Sequence, residues 1–260
     1  MLGTVLRATG AYRIYENRLT AQVRKGKIPE HIAIILDGNR RWAQNRNYSV
    51  EAGHAYGADV VENLLDWCHD LGIRSITLYA LSTENLKRSP EEVQELLKLI
   101  EERLRKLLTD DRIYRYRVRV KGIGKVEFLP ESLLATLREV EAKTASFDGH
   151  YLNIGLAYGG RAEITDVVRS IAQDVKQGKI EPESIEEETI ANRLYTAYLP
   201  NPEPDVIIRT SGEERMSGFL LWQSAYSELI FLDVYLPAFR KIDLLRAVRT
   251  YQKRQRRFGR

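Results

Sequence analysis

Asp37-Gly38-Asn39-Arg40-Arg41-Trp42 follows a short apolar run directly and gathers a carboxylate, an amide and two guanidinium groups within five positions. Glycine lets the backbone approach an anion closely, arginines grip phosphate oxygens bidentately, and a carboxylate can hold a divalent cation bridging the same phosphates. That inventory suits a diphosphate ligand. Its bland counterpart is an Asp-Gly turn with solvated arginines.

A second polar stretch, Leu81-Ser82-Thr83-Glu84-Asn85-Leu86-Lys87-Arg88, also follows an apolar run and offers hydroxyls, an amide, a carboxylate and another arginine. A third, from Arg209 to Ser217, places Arg209, Arg215 and Ser217 around Gly212. Arg40, Arg41, Arg88, Arg209 and Arg215 exceed the needs of one phosphate cluster, so two diphosphate-bearing ligands are expected. His54, in Glu51-Ala52-Gly53-His54, faces the first loop, where it could touch a phosphate or act as a packing residue. Gly122-Ile123-Gly124 lacks the third glycine of a dinucleotide fingerprint, and no Gly-Lys-Ser/Thr loop occurs. The four histidines and the single Cys68 stand too far apart in sequence to spell a zinc signature, and Asp110-Asp111 reads as a solvated helix terminus.

These loops need a scaffold that brings them together. Apolar runs at His31–Leu36, Ser75–Ala80, Tyr116–Lys121, Tyr151–Leu156, Asp205–Ile208 and Glu228–Phe231 read as strands. Helical patterns lie at 57–70, 90–108, 130–144, 161–177, 185–195 and 242–256, with Ser89 and Pro90 opening the second. Strands apolar on both faces and separated by helices predict an α/β fold: one domain with a mainly parallel central sheet of about six strands flanked by helices. Ligands then sit at the carboxyl ends of the strands, where all three loops emerge. A helical segment over 1–29 precedes this domain at 30–260.

At 260 residues and 43% hydrophobic, the chain can bury one large core, and 29% charged residues leave no transmembrane run. The lone Cys68 and the absence of an apolar leader predict a reducing cytoplasm. Net charge is +4, yet Arg240–Arg260 holds nine Lys and Arg against Asp243 alone. That tail suits nucleic acid, an anionic membrane surface, a phosphorylated substrate or simply solvent. No nucleic-acid motif or aromatic platform accompanies it, so no nucleic-acid partner is expected.

The block from His31 to Trp42 closely resembles the first signature of the cis-prenyltransferases of undecaprenyl diphosphate synthase type. Leu78–Asn85, Leu152-Asn153-Ile154 with Tyr158–Arg161, Ile208-Arg209-Thr210 with Phe219–Gln223, and Arg256–Gly259 continue the likeness across residues 30–259. Tyr12-Arg13-Ile14-Tyr15 looks more like archaeal members. The resemblance implies repeated head-to-tail addition of isopentenyl diphosphate to an allylic prenyl diphosphate, giving a cis-polyprenyl diphosphate that serves as a glycosyl carrier lipid precursor. It implies Asp37 as a magnesium ligand that helps the allylic diphosphate leave, with Gly38, Asn39, Arg40, Arg41, Trp42, His54, Ser82, Thr83, Glu84 and Arg88 around that substrate. Arg209, Arg215 and Ser217 would hold isopentenyl diphosphate, Asn85 would assist proton removal, and Glu228 would be a second magnesium-linked carboxylate.

It also implies a homodimer, a hydrophobic tunnel between sheet and helices, and transient contact with a membrane surface when the lipid is released. The chain departs from the pattern at Val50, where a phosphate-binding arginine is common and Arg46 is the nearest substitute, and at Leu81, Leu86 and Glu214. A noncatalytic prenyltransferase-like subunit or a nucleic-acid-binding module are the alternatives. The intact Asp37 loop and its arginines favour the enzyme.

Overall fold

The structure is a computed structural model that describes residues 11–254; the Arg256–Gly259 block lies outside the described residues. Six strands are β1 (His31–Ile35), β2 (Ser75–Tyr79), β3 (Val118–Ile123), β4 (His150–Gly155), β5 (Val206–Arg209) and β6 (Glu228–Phe231). Among the described residues they form one parallel sheet in the order β3-β4-β2-β1-β5-β6. Every residue of β1, β2 and β5 is buried. Burial on both faces is why these strands read as unbroken apolar runs rather than alternating ones. Most strand limits lie a residue or two from the sequence expectation; β3 starts at Val118 rather than Tyr116 because Arg117 takes a left-handed turn with φ 50°.

The helices are α1 (Ala11–Val23), α2 (Asn39–Gln44), α3 (Val50–Leu71), α4 (Pro90–Leu107), α5 (Asp111–Arg115), α6 (Glu131–Thr144), α7 (Gly160–Lys176), α8 (Glu187–Ala191) and α9 (Lys241–Lys253). The third starts well before the expected residue 57. Ser49 caps it, accepting from the Ala52 amide at 3.2 Å, and Gly53 and Gly57 are tolerated inside it because α2 packs there. A Cβ at position 57 would fall 2.2 Å from Asn39 Oδ1. The expected helix over 185–195 contracts to the single short α8, with turns either side. Asp110 is no solvated terminus: its carboxylate caps α5 and pairs with Arg112 at 2.6 Å.

Leu64 and Cys68 of α3 pack with Ile34, Ile76 and Leu78 of the sheet in one core, while Tyr79, Tyr158 and Phe219 pack on the opposite face. The chain leaves β1 towards β2 on one side and places β5 on the other. That reversal of strand order opens a crevice at the carboxyl ends of β1 and β5.

Candidate active site

Asp37 sits two residues beyond β1, and its backbone is pinned by Thr210, whose Oγ1 donates to the Asp37 carbonyl at 2.6 Å. Arg209, the last residue of β5, turns its guanidinium into the same crevice: Nη2 donates to Asp37 Oδ2 at 2.8 Å and Nη1 to Ser217 Oγ at 2.8 Å. Arg41 donates to Asp37 Oδ1 at 3.2 Å and to Ser211 Oγ at 2.8 Å. Burial opposes ionisation of Asp37, yet hydrogen bonds from Arg209 and Ser211 and the charges of Arg209 and Arg41 hold its carboxyl below the usual range. Ser211 and Ser217 carry left-handed backbones, φ 83° and 49°, so the Arg209–Ser217 loop is bent tightly enough to face the crevice. Glu213 completes this half, accepting from Arg41 at 2.8 Å and from Arg215.

A second cationic group lies across Asp37. Arg88 contacts Glu92 at 2.8 Å, and Arg40 and His54 approach the same carboxylate at 3.7 and 3.8 Å. His54 is depressed below its ordinary pKa by burial, then by the Arg88 charge. Gly38 makes the close approach possible. Its φ of 101° is a left-handed conformation, and a Cβ there would meet Tyr235 Cδ1 at 2.7 Å.

Asp37, Gly38, Asn39, Arg40, Arg41, His54 and Arg88 line one polar pocket. Asn39, His54 and Arg88 also line an adjoining cavity of about 230 Å³ between the sheet and α3 and α4. Its walls are Ile76, Leu78 and Ala80 from β2 and beyond, Leu152 and Ile154 from β4, Val61 and Leu65 from α3, and Leu96, Ile100 and Leu104 from α4. Positions two apart on a strand share a face, so the cavity follows the strands from their carboxyl ends back past Arg74 and His150, roughly 20 Å. His69 and His150, distant in sequence, meet at its far end with ring nitrogens 3.2 Å apart.

The remaining candidates divide. Asn85 lines the cavity near Arg88, its Oδ1 accepting from the Ser82 backbone N–H at 3.0 Å while its own backbone N–H donates to Ser82 Oγ at 3.1 Å. Thr83 donates to Glu84 at 3.2 Å on the outer side of this turn. Trp42 is buried and packs on Tyr48 and Tyr56, so it supports α2 and is absent from the pocket lining. Arg46 lies over the Trp42 ring at 4.6 Å and is absent from the lining of the polar pocket. Glu228 is not brought to Asp37. It starts β6, pairs with Val206 at the amino end of β5, and is bound by Arg254 at 2.9 Å. Among the described residues no three His, Cys, Asp or Glu side chains cluster as a metal site. Glu92, Glu213, Thr210 and Ser211 belong to the site and were not singled out by sequence reasoning.

The prenyltransferase family model for undecaprenyl diphosphate synthases matches residues 35–259. The chain belongs to that family, the cis-prenyltransferases. A tritrans,polycis-undecaprenyl-diphosphate synthase (geranylgeranyl-diphosphate specific) of Pyrococcus horikoshii is 53% identical over 251 residues, spanning 96% of this chain and 94% of the relative. The like-named protein of Methanocaldococcus jannaschii is 50% identical over 251 residues, spanning 96% and 90%. The crystal structure of lavandulyl diphosphate synthase from Lavandula x intermedia, in complex with dimethylallyl diphosphate, superposes with a TM-score of 0.85 at 34% identity, covering 90% of this chain and 99% of that one. As a cis-prenyltransferase, the chain is an enzyme of polyprenyl diphosphate synthesis. The noncatalytic alternative finds no support, since the Asp37 loop and its arginines are present and assembled.

Proposed function

We propose that the chain adds isopentenyl diphosphate repeatedly to geranylgeranyl diphosphate, each new double bond being cis, to give a polyprenyl diphosphate that serves as a glycosyl carrier lipid precursor. The observation that carries this reading is the shared wall: Asn39, His54 and Arg88 border a cationic pocket on one side and an apolar cavity on the other. One ligand with a diphosphate head and a hydrocarbon tail fits both at once. The primer follows from the relatives, which are named as geranylgeranyl-diphosphate specific.

Arg40, Arg88 and His54, with the Gly38-Asn39 backbone, hold the allylic diphosphate; Arg209, Arg215 and Ser217 hold isopentenyl diphosphate. As the allylic carbon–oxygen bond breaks, negative charge grows on the departing diphosphate, and prepositioned guanidinium groups stabilise it without reorganising. The isopentenyl double bond attacks the allylic carbon, and a proton leaves the adjacent methylene. The released diphosphate receives that proton, and Asn85, bonded to Ser82 and lining the cavity with Arg88, helps to orient it. The growing chain extends along the cavity as a tunnel, past Leu78, Ile100 and Leu104.

Magnesium suits the donor set. Asp37 offers one ionised carboxylate beside an anion pocket, and each oxygen retains acceptor capacity beyond its guanidinium contact. When bound, the ion supplies further neutralisation of the leaving diphosphate. Glu228 joins no such set within one chain. A homodimer, a cytoplasmic location and transient membrane contact belong to the same proposal. The family resemblance supports the first, the single buried Cys68 the second, and the insolubility of a polyprenyl product the third.

Incubating the purified protein with labelled isopentenyl diphosphate, magnesium and geranylgeranyl, farnesyl or dimethylallyl diphosphate tests the reading. Extended products with geranylgeranyl diphosphate as preferred primer are expected. No elongation of any primer overturns it.

A further inference from the structure

We propose that α1 and α9 together form the face by which the protein docks on an anionic lipid bilayer. The proposal rests on the reading that the product is a polyprenyl lipid, and it names the surface on which that lipid's release would occur.

Residues 11–27 and 240–254 carry eleven Lys and Arg against two acids, Glu16 and Asp243, in a chain whose net charge is only +4. The remainder of the protein is therefore net acidic. Asp243, buried at the start of α9, pairs with Arg240 at 3.2 Å and Arg246 at 3.7 Å, and Arg254 pairs with Glu228 at 2.9 Å, so the excess charge rests mainly on Arg13, Arg18, Arg24, Lys25, Lys27, Arg249 and Lys253. The inner side of α9 is core: Ile242, Leu244, Leu245, Ala247 and Val248 are buried. The two helices run in the same direction side by side. Arg246 covers the Tyr15 ring at 5.7 Å, and Gln252 donates to the Val23 carbonyl at 2.8 Å.

Apolar side chains stand in the middle of this charge. Ile14 is 56% exposed and Tyr15 39% exposed, and the Tyr15 hydroxyl, held by Arg246, is lowered in pKa by the two neighbouring arginines of α9. Basic groups around an exposed aliphatic and an amphipathic aromatic side chain match the boundary between headgroups and acyl chains, where charge attracts and the apolar tips insert. A second copy of the chain would present the same basic face and be repelled. A nucleic acid would use the charge but find no stacking platform and no use for Ile14.

The face also adjoins the cavity. Arg24 of the turn after α1 donates to the Asp70 carbonyl at 3.1 Å, and Lys241 pairs with the Asp70 carboxylate at 3.1 Å. Asp70 follows His69, which lines the end of the cavity remote from Asp37. Docking here brings the far end of the cavity near the bilayer.

The test is co-sedimentation with vesicles of phosphatidylcholine, with and without phosphatidylglycerol, for the whole protein and two variants. Arg246→Glu/Arg249→Glu reverses the α9 side, and Arg13→Glu/Arg18→Glu, on exposed positions of α1, serves should the first not fold. Each basic side chain near an anionic surface strengthens binding about fivefold, so either pair should weaken partition to the anionic vesicles roughly twenty-fivefold or more. Binding of the wild type should fall with added salt, and condensation in detergent solution should be unchanged in both variants. Equal wild-type binding to both vesicle types, or variants that partition like the wild type, overturns the proposal. So does loss of binding to a fluorescent oligonucleotide with vesicle binding intact. Failure of wild-type condensation while vesicle binding behaves as stated would sink the proposed function and leave the docking face standing.

Discussion

Asp37 and Arg209, 172 residues apart in the chain, join through a 2.8 Å contact between Oδ2 and Nη2 where β1 and β5 end. Arg209 is only 5% exposed, so Asp37 is its main negative partner as well as a group facing the pocket. The carboxylate therefore serves both the fold and the chemistry.

Asp37→Ala should lower turnover at least 100- to 1000-fold, the scale for removing a prepositioned electrostatic group. Its place on the loop beyond β1 leaves the sheet intact, but the structure argues for a cost. A buried guanidinium left with only Ser217 and the Arg215 carbonyl should reduce stability by about 1–3 kcal/mol. Urea unfolding beside steady-state kinetics separates the two; wild-type turnover in this variant would remove Asp37 from the mechanism.

Arg209→Ala should raise the KM for isopentenyl diphosphate by roughly 10-fold or more, as expected for a lost charge-assisted contact. The allylic KM should change less. An effect confined to the allylic substrate would reverse the assignment of the two anion sites.

Gly57→Ala should weaken binding of the allylic substrate although alanine is the better helix former by about 1 kcal/mol. The new methyl would meet Asn39 Oδ1, a buried atom with no hydrogen-bond partner, and push it from the pocket wall. A raised allylic KM with an unchanged isopentenyl diphosphate KM is expected; unaltered kinetics would show that α2 shifts freely.

Much of this site was legible because strands buried on both faces make the polar residues that follow them conspicuous. The loops at Asp37, Ser82 and Arg209 all emerge at the carboxyl end. Glu92 was not legible, because an acid in the first turn of α4 has an ordinary local role beside the Ser89 cap. Only its spacing of four from Arg88 hinted at more, and its convergence with Arg40 and His54 is a property of three dimensions. The six residues of α2 are too few to show a helical period, and the start of α3 was hidden by two glycines whose reason is the neighbouring helix. His69 and His150 looked unrelated at a separation of 81 residues, yet parallel pairing brings the ends of distant elements together.

His54 sets a pH dependence. Its pKa in the free protein lies below 6.5, and a bound diphosphate would raise it, so binding takes up a proton. Allylic substrate affinity should therefore increase as pH falls towards and below 6.5. Measured KM values for His54→Gln should be flat over that range; an unchanged slope would place the titrating group elsewhere.

His31 should make the fold acid-sensitive. It is fully buried between Thr77 and the Asn201 carbonyl, and burial lowers its pKa from 6.5 to about 4. The folded value lies below the unfolded one, so its contribution is complete above pH 6.5 and is lost as pH falls towards 4, about 3 kcal/mol in all. Urea midpoints across this window should drop more steeply in the wild type than in His31→Gln, and parallel curves would assign the loss to other groups.

The order of strands also governs when the protein can be completed. β1 lies at the centre of the sheet, yet its neighbour β5 begins only at Val206. During synthesis the middle strand must wait for most of the chain before its second edge is paired, and such long-range closure is slow. Nascent chains ending before Val206 would present that bare edge to one another, so this sheet should depend on a rapid final stage of translation or on protection from chaperones.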